Sequence, residues 1–130
     1  MALLADELGY PTDSRTLRER LALLLGRSDY LIAVAEAEAG RVCGWIQAQS
    51  SLALESGFRV EIVGLVVSKA MQRRGIGRLL VGHAEAWAGR MGAEAIVVRS
   101  KVQRQESHPF YVALGYACTK TQNVYRKRII

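Results

Sequence analysis

The segment Gln72-Arg73-Arg74-Gly75-Ile76-Gly77 follows an apolar run, Val60-Glu61-Ile62-Val63-Gly64-Leu65-Val66-Val67, and opens a long amphipathic pattern that begins at Arg78. A strand, a turn with two spaced glycines and then a helix leave bare backbone N–H groups at a helix N-terminus. The first amides of a helix have no intrahelical acceptor and the helix dipole favours negative charge there, so this turn suits a phosphate. Arg73, Arg74 and Arg78 add charge suited to a pyrophosphate; the alternative for these three side chains is a solvated helix start. Glu61 is the other residue here with chemical potential. It sits in a strand otherwise made of Val, Ile, Leu and Gly, where loss of water penalises a charged carboxylate and makes it a better base. The competing reading is an outward-facing carboxylate in an ion pair.

The elements that must position these groups follow from periodicity. Leu3 to Leu8 reads as a short helix ended by Gly9-Tyr10-Pro11. Thr16-Leu17-Arg18-Glu19 has capping-box form and leads into Leu17, Leu21, Leu24 and Leu25 at helical spacing, with Gly26 as the C-terminal cap. Tyr30–Ala35 and Val42–Gln49 read as a hairpin around a polar turn, and Ser50 to Gly57 as a loop. Arg59–Val67 is a nearly continuous apolar strand in which Gly64 marks a bulge or a close backbone approach. The following helix carries Leu80, Ala84, Trp87, Ala88 and Met91 on one face and ends at Gly92. Ala95–Val98 is a short strand. Ser107 can cap a helix with Pro109 in its first turn and Gly115 past its end. Tyr116–Thr119 and Asn123–Ile129 read as closing strands.

The bulk properties bound the function. A chain of 130 residues, half of them hydrophobic, is expected to form a single domain, 1–130, with one real core. No apolar run approaches the ~20 residues of a membrane helix. The N-terminal stretch lacks signal-peptide features, so the expectation is a cytoplasmic protein with no membrane partner. Cys43 and Cys118 fit no metal or redox spacing and read as reduced core residues. Neither His83 nor His108 has a partner at ligand spacing, so no metal is expected. The net charge of +6 fits an anionic small ligand. Basic residues gather at 73–78, 99–104 and 126–128, without the aromatic interleaving of single-strand binders, so no nucleic-acid partner is expected.

Taken together, Gln72-Arg73-Arg74-Gly75-Ile76-Gly77, the Leu65-Val66-Val67 end of the strand before it and Pro109-Phe110-Tyr111-Val112-Ala113-Leu114-Gly115-Tyr116 resemble the GCN5-related N-acetyltransferase (GNAT) superfamily. They look like its acyl-CoA motif, its splayed strand and its second signature. The resemblance runs from about Tyr30 to the end. It implies an α/β (α+β) single-domain fold: a mixed central sheet with helices on both faces. The sheet is antiparallel at its start and takes a parallel step around the long helix. The family's first strand is apparently missing, because Met1-Ala2-Leu3-Leu4 already reads as helix. A homodimer is expected, and a partner subunit is one source for that strand.

The resemblance also implies roles. The backbone from Gln72 through Arg73, Arg74, Gly75, Ile76, Gly77 and Arg78 would hold the pyrophosphate of acetyl-CoA. The freed polar groups of Leu65, Val66 and Val67 would take its pantetheine arm like an added strand. Ser107 and Phe110 complete the cofactor-binding set, although Phe110 and Tyr116 also read as packing residues. The expected reaction is acetyl transfer to a primary amine by direct attack, with no acyl-enzyme. An amine with a lysine-like pKa of ~10.4 must lose a proton first, at a cost of about 4–5 kcal/mol at pH 7. Glu61 is the expected base, directly or through water, and Tyr111 the acid that protonates the leaving thiolate. The alternative for Tyr111 is a core aromatic with a satisfied hydroxyl. His108 reads as a surface histidine. The acceptor, a small-molecule or protein amine, is expected to be shaped by the Gly9–Arg15 turn, the Ser50–Gly57 loop and the Lys120–Asn123 connection. Alternatives are a different acyl donor or a hydroxyl acceptor, an acyl-CoA sensor without turnover, and a basic nucleic-acid module.

Overall fold

The computed structural model describes residues 14–37, 40–71, 74–99 and 107–130. They fall into two compact units divided between Arg99 and Ser100. The expected helix at Leu3–Leu8, the Gly9–Arg15 turn up to residue 13 and the apparently missing first strand lie outside the described residues.

In the first unit, helix α1 (Ser14–Leu25) precedes strands β1 (Tyr30–Glu36), β2 (Val42–Ala53) and β3 (Gly57–Val67). A single tight helical turn, Lys69–Met71, leads to helix α2 (Ile76–Met91) and strand β4 (Ala95–Val98). The strands form one sheet in the order β1-β2-β3-β4. The first two pairings are antiparallel and β4 joins β3 in parallel, with α2 as the crossover. This is the mixed α/β architecture expected from the element order.

Alternation along the strands builds the core. Ile46, Ala48, Val60 and Ile62 are buried, as are Leu80, Val81, Ala84 and Ala88 of α2. In β2 and β3 these positions share one face, because Ala48 pairs with Ile62 across an antiparallel ladder. The amphipathic stripe of α2 covers that face, and Ile76 and Leu80 approach the β2 backbone at Gly44. Asp29 fastens the start of β1, since its carbonyl accepts the Ser50 N–H at 2.9 Å. Its carboxyl is held below the usual range, mainly by the hydrogen bond from Arg27.

Four local expectations are corrected. Ser50–Ala53 are strand rather than loop, because Ser50, Ser51, Leu52 and Ala53 pair with Val60, Arg59, Phe58 and Gly57. The acceptor loop foreseen at Ser50–Gly57 is therefore a tight hairpin end. Helix α1 begins at Ser14, before Thr16, and Gly26 is not left-handed; Arg27 N–H donates to the Leu24 carbonyl at 3.1 Å instead. Cys43 is buried as expected, its thiol 3.4 Å from the Ala35 carbonyl, whereas Cys118 is exposed. The closing strands Tyr116–Thr119 and Asn123–Ile129 are absent: the described chain after Gly115 has no regular structure and no ladder partner.

In the second unit, helix α3 (Ser107–Ala113) starts at the expected Ser107. Its end is closed by Gly115 N–H donating to the Val112 carbonyl at 3.0 Å and Tyr116 N–H to the Tyr111 carbonyl at 3.0 Å. That is a Schellman closure, as the glycine position suggested. No helix among the described residues is long and apolar enough to cross a membrane.

Candidate active site

The phosphate-cradle reading rests on the start of α2. Gly75 occupies the N-cap with φ 79° and ψ 9° and makes no side-chain cap. This left-handed conformation strains any residue with a Cβ. Its carbonyl accepts the N–H of Leu79 at 3.0 Å, closing the first turn. The N–H groups of Ile76, Gly77 and Arg78 precede the first intrahelical bond, so they are the orphan donors of the helix. A Cβ built at Gly75 meets nothing within 4 Å, so the turn is open on its outer side. Arg74 and Arg78 are exposed beside it. Gln72 and Arg73 lie outside the described residues.

The strand that feeds this turn is interrupted where the sequence suggested. Gln47 pairs with Gly64 and Ala48 with Ile62, so Val63 is an inserted bulge residue. The parallel ladder to β4 ends at Ile62↔Val98. No described strand continues it alongside Leu65, Val66 and Val67. The described parallel ladder therefore stops at Ile62, one residue before the inserted Val63. The bulge also changes which residues share a face. Glu61 and Arg59 precede it and lie opposite α2; after it Gly64 and Val66 take that face, paired with Gln47 and Trp45. A Cβ at Gly64 would stand 2.9 Å from Trp45 Cζ3, so the glycine makes room for the indole.

Glu61 therefore sits on the sheet face away from the long helix, directly across from Gln49. It is not alone in an apolar strand. Arg99 Nη1 donates to both of its carboxylate oxygens, at 2.7 and 2.8 Å. The Glu61 side chain is 14% exposed and that of Arg99 56%. Sequence reasoning noted the basic residues from 99 onward and weighed an ion pair at Glu61, but it did not name the partner. The parallel register supplies it, because Val97 pairs with Glu61 and Arg99 follows two residues later.

Ser107, Phe110 and Tyr111 belong to the second unit. The Tyr111 ring lies edge-on to Phe110, centroids 5.0 Å apart, and to Tyr116, 5.8 Å apart. His108 is exposed, as expected. Among the described residues no group of His, Cys, Asp or Glu is arranged to hold a metal ion.

A family model described as "Acetyltransferase (GNAT) family" matches residues 2–116. The chain belongs to that family. A curated relative, an uncharacterized N-acetyltransferase of Bacillus subtilis (strain 168), is 29% identical over 108 residues, covering 82% of this chain and 74% of its own. Among solved structures, a GNAT family acetyltransferase of Staphylococcus aureus superposes with a TM-score of 0.79 at 21% identity, covering 97% of this chain and 86% of that one. AAC(6')-Iy, solved in complex with a bisubstrate analogue of CoA and acetylneamine, gives 0.84 at 20% identity, covering 96% and 87%. At these identities the superpositions speak for the fold.

Proposed function

We propose that the protein is an acetyl-CoA-dependent N-acetyltransferase acting on a small-molecule primary amine. The observation that carries this reading is the continuity of β3 with the cradle. The described parallel ladder ends at Ile62, before the Val63 bulge, and the chain then leads through Lys69–Met71 to the Gly75-capped start of α2. A strand that runs on past the end of its described parallel ladder, followed by helix amides that precede the first intrahelical bond, fits a long ligand with an amide-bearing arm and a pyrophosphate. Structural neighbours solved with CoA or its bisubstrate analogue support the same assignment.

In this reading the amides of Ile76, Gly77 and Arg78 bind the pyrophosphate, with Gln72, Arg73 and Arg74 completing the turn. Leu65, Val66 and Val67 offer backbone groups to the pantetheine arm, and Ser107 and Phe110 contribute from α3. Acetyl-CoA supplies the thioester that the free amine attacks directly. Glu61, on the face opposite α2 and just before the bulge, receives the ammonium proton directly or through a water. Tyr111 provides the proton for the departing thiolate.

The test is thiol release from acetyl-CoA with a panel of amines, alongside CoA affinity by calorimetry. Gly77→Asp places a carboxylate among the cradle amides and should weaken CoA binding by more than ~100-fold; unchanged affinity would sink the cradle assignment. Tyr111→Phe should lower kcat by about 100-fold with CoA affinity held within about twofold. An unaffected rate removes Tyr111 from the mechanism. Tight CoA binding with no release for any amine would favour an acyl-CoA sensor.

A further inference from the structure

The sheet face opposite α2 holds more cationic donors than its own acids use. Strands β2, β3 and β4 carry a single carboxylate between them, Glu61. Arg59 precedes it by two residues on the same face, a separation of about 7 Å along a strand. Arg99 spends one nitrogen, Nη1, on both oxygens of Glu61. Its Nε and Nη2 make no hydrogen bond to a described residue, and its side chain is more than half exposed. Arg59 has no ion pair among the described residues, and its Nε is shielded from solvent without a hydrogen-bond partner.

The second such atom among the described residues is Trp45 Nε1. Trp45 is on this face too, with its indole against Gly64 on the far side of Glu61 from Arg59. Buried donors left unpaired are rare because each forfeits its hydration, so Arg59 Nε, two residues from Glu61, calls for an acceptor. That acceptor must be anionic or at least rich in oxygen, since the atom is a guanidinium N–H.

We propose that the amine accepted here carries its own carboxylate close to the nitrogen, as an α-amino acid does. This rests on the acetyl-transfer reading above. The ammonium end of such a zwitterion meets Glu61, and its carboxylate meets the donors of Arg99 and Arg59 that the ion pair leaves over. A polycation would meet two guanidiniums beside Glu61, on a protein of net charge +6. The preference therefore separates this chain from its aminoglycoside-modifying structural neighbours.

The test uses matched acceptors: a set of α-amino acids, their carboxamides, the corresponding decarboxylated amines, and an aminoglycoside such as kanamycin. Acetyl transfer is followed by thiol release, and binding to the CoA-saturated protein by calorimetry. The expected result is a kcat/KM for the best amino acid about 100-fold above its carboxamide, because a charge-assisted pair is lost. Arg99→Gln should reduce the ratio of amino-acid to carboxamide kcat/KM by about 10- to 100-fold, a ratio from which any effect on Glu61 common to both acceptors cancels. Arg99→Lys, which keeps the charge, should restore part of it, and Arg59→Gln should act in the same direction. Carboxamides or kanamycin acetylated as well as the amino acids would overturn this inference and leave the acetyl-transfer reading standing. Carboxylate-dependent binding without turnover of any acceptor would do the reverse. Neither binding nor turnover of the amino acids overturns it as well.

Discussion

The two faces of the sheet are made from the same strands, often from adjacent residues, yet they do opposite work. On the face under α2, Ile46, Ala48, Val60 and Ile62 meet Leu80, Val81 and Ala84, all at most 5% exposed. On the other, β2 and β3 turn out Trp45, Gln47, Gln49, Arg59 and Glu61, with Arg99 closing on Glu61. The first face stabilises by removing apolar area from water. The second keeps polar atoms half-buried and, at Arg59 and Trp45, unsatisfied. Holding unsatisfied donors costs stability, which the packed face must offset. In the proposed assignment, function and stability divide across a single layer of backbone, about the thickness of one strand.

Placing the same carboxylate on either face is the strongest way to break that contrast. Val60→Asp would bury an unpaired charge under α2 and should cost more than about 4 kcal/mol, enough to abolish cooperative unfolding in a chemical denaturation experiment. A wild-type midpoint in Val60→Asp would show that the helix-covered face is not the core. Gly64→Ala tests the other face at intermediate strength. Its methyl would press on Trp45 Cζ3, 2.9 Å away, and the overpacked indole should cost about 1–3 kcal/mol. A stability equal to wild type would mean that the indole moves aside freely. The smallest effect is expected for Ser51→Asp, directly across from Arg59. An opposite-charge pair at that register should leave stability unchanged or raise it by about 0.2–1 kcal/mol. A loss above that range would put Arg59 out of reach of its cross-strand neighbour.

Much of this molecule was legible before folding. The order of β1, β2, β3, α2 and β4, the parallel step, the bulge beside Gly64 and the Ser107 start of α3 all follow from periodicity and glycine placement. The misreadings share a cause. Ser50 and Ser51 look like loop residues, but they lie opposite Val60 and Arg59 and are drawn into the ladder. Tyr116–Thr119 and Asn123–Ile129 look like strands, yet Val124, Tyr125 and Ile129 stand exposed and unpaired. Strand propensity describes how a side chain fits a pleated, half-buried surface, so it cannot report whether a neighbouring strand is there. Cys118 was misjudged with the strand that was to bury it.

The candidate site divides in the same way. The glycine turn and its helix are local, because a left-handed cap and orphan amides arise from a few consecutive residues. The environment of Glu61 is not local. Its partner Arg99 is 38 residues away and arrives through the parallel crossover. The linear pattern along β3 and α2 was enough for the strand-turn-helix order and the family, since each depends on neighbours in sequence. Which guanidinium meets Glu61, and which face Gly64 and Val66 present after the inserted Val63, depended on strand register. Register is settled by pairing between distant segments, and one extra residue turns every later side chain to the other face.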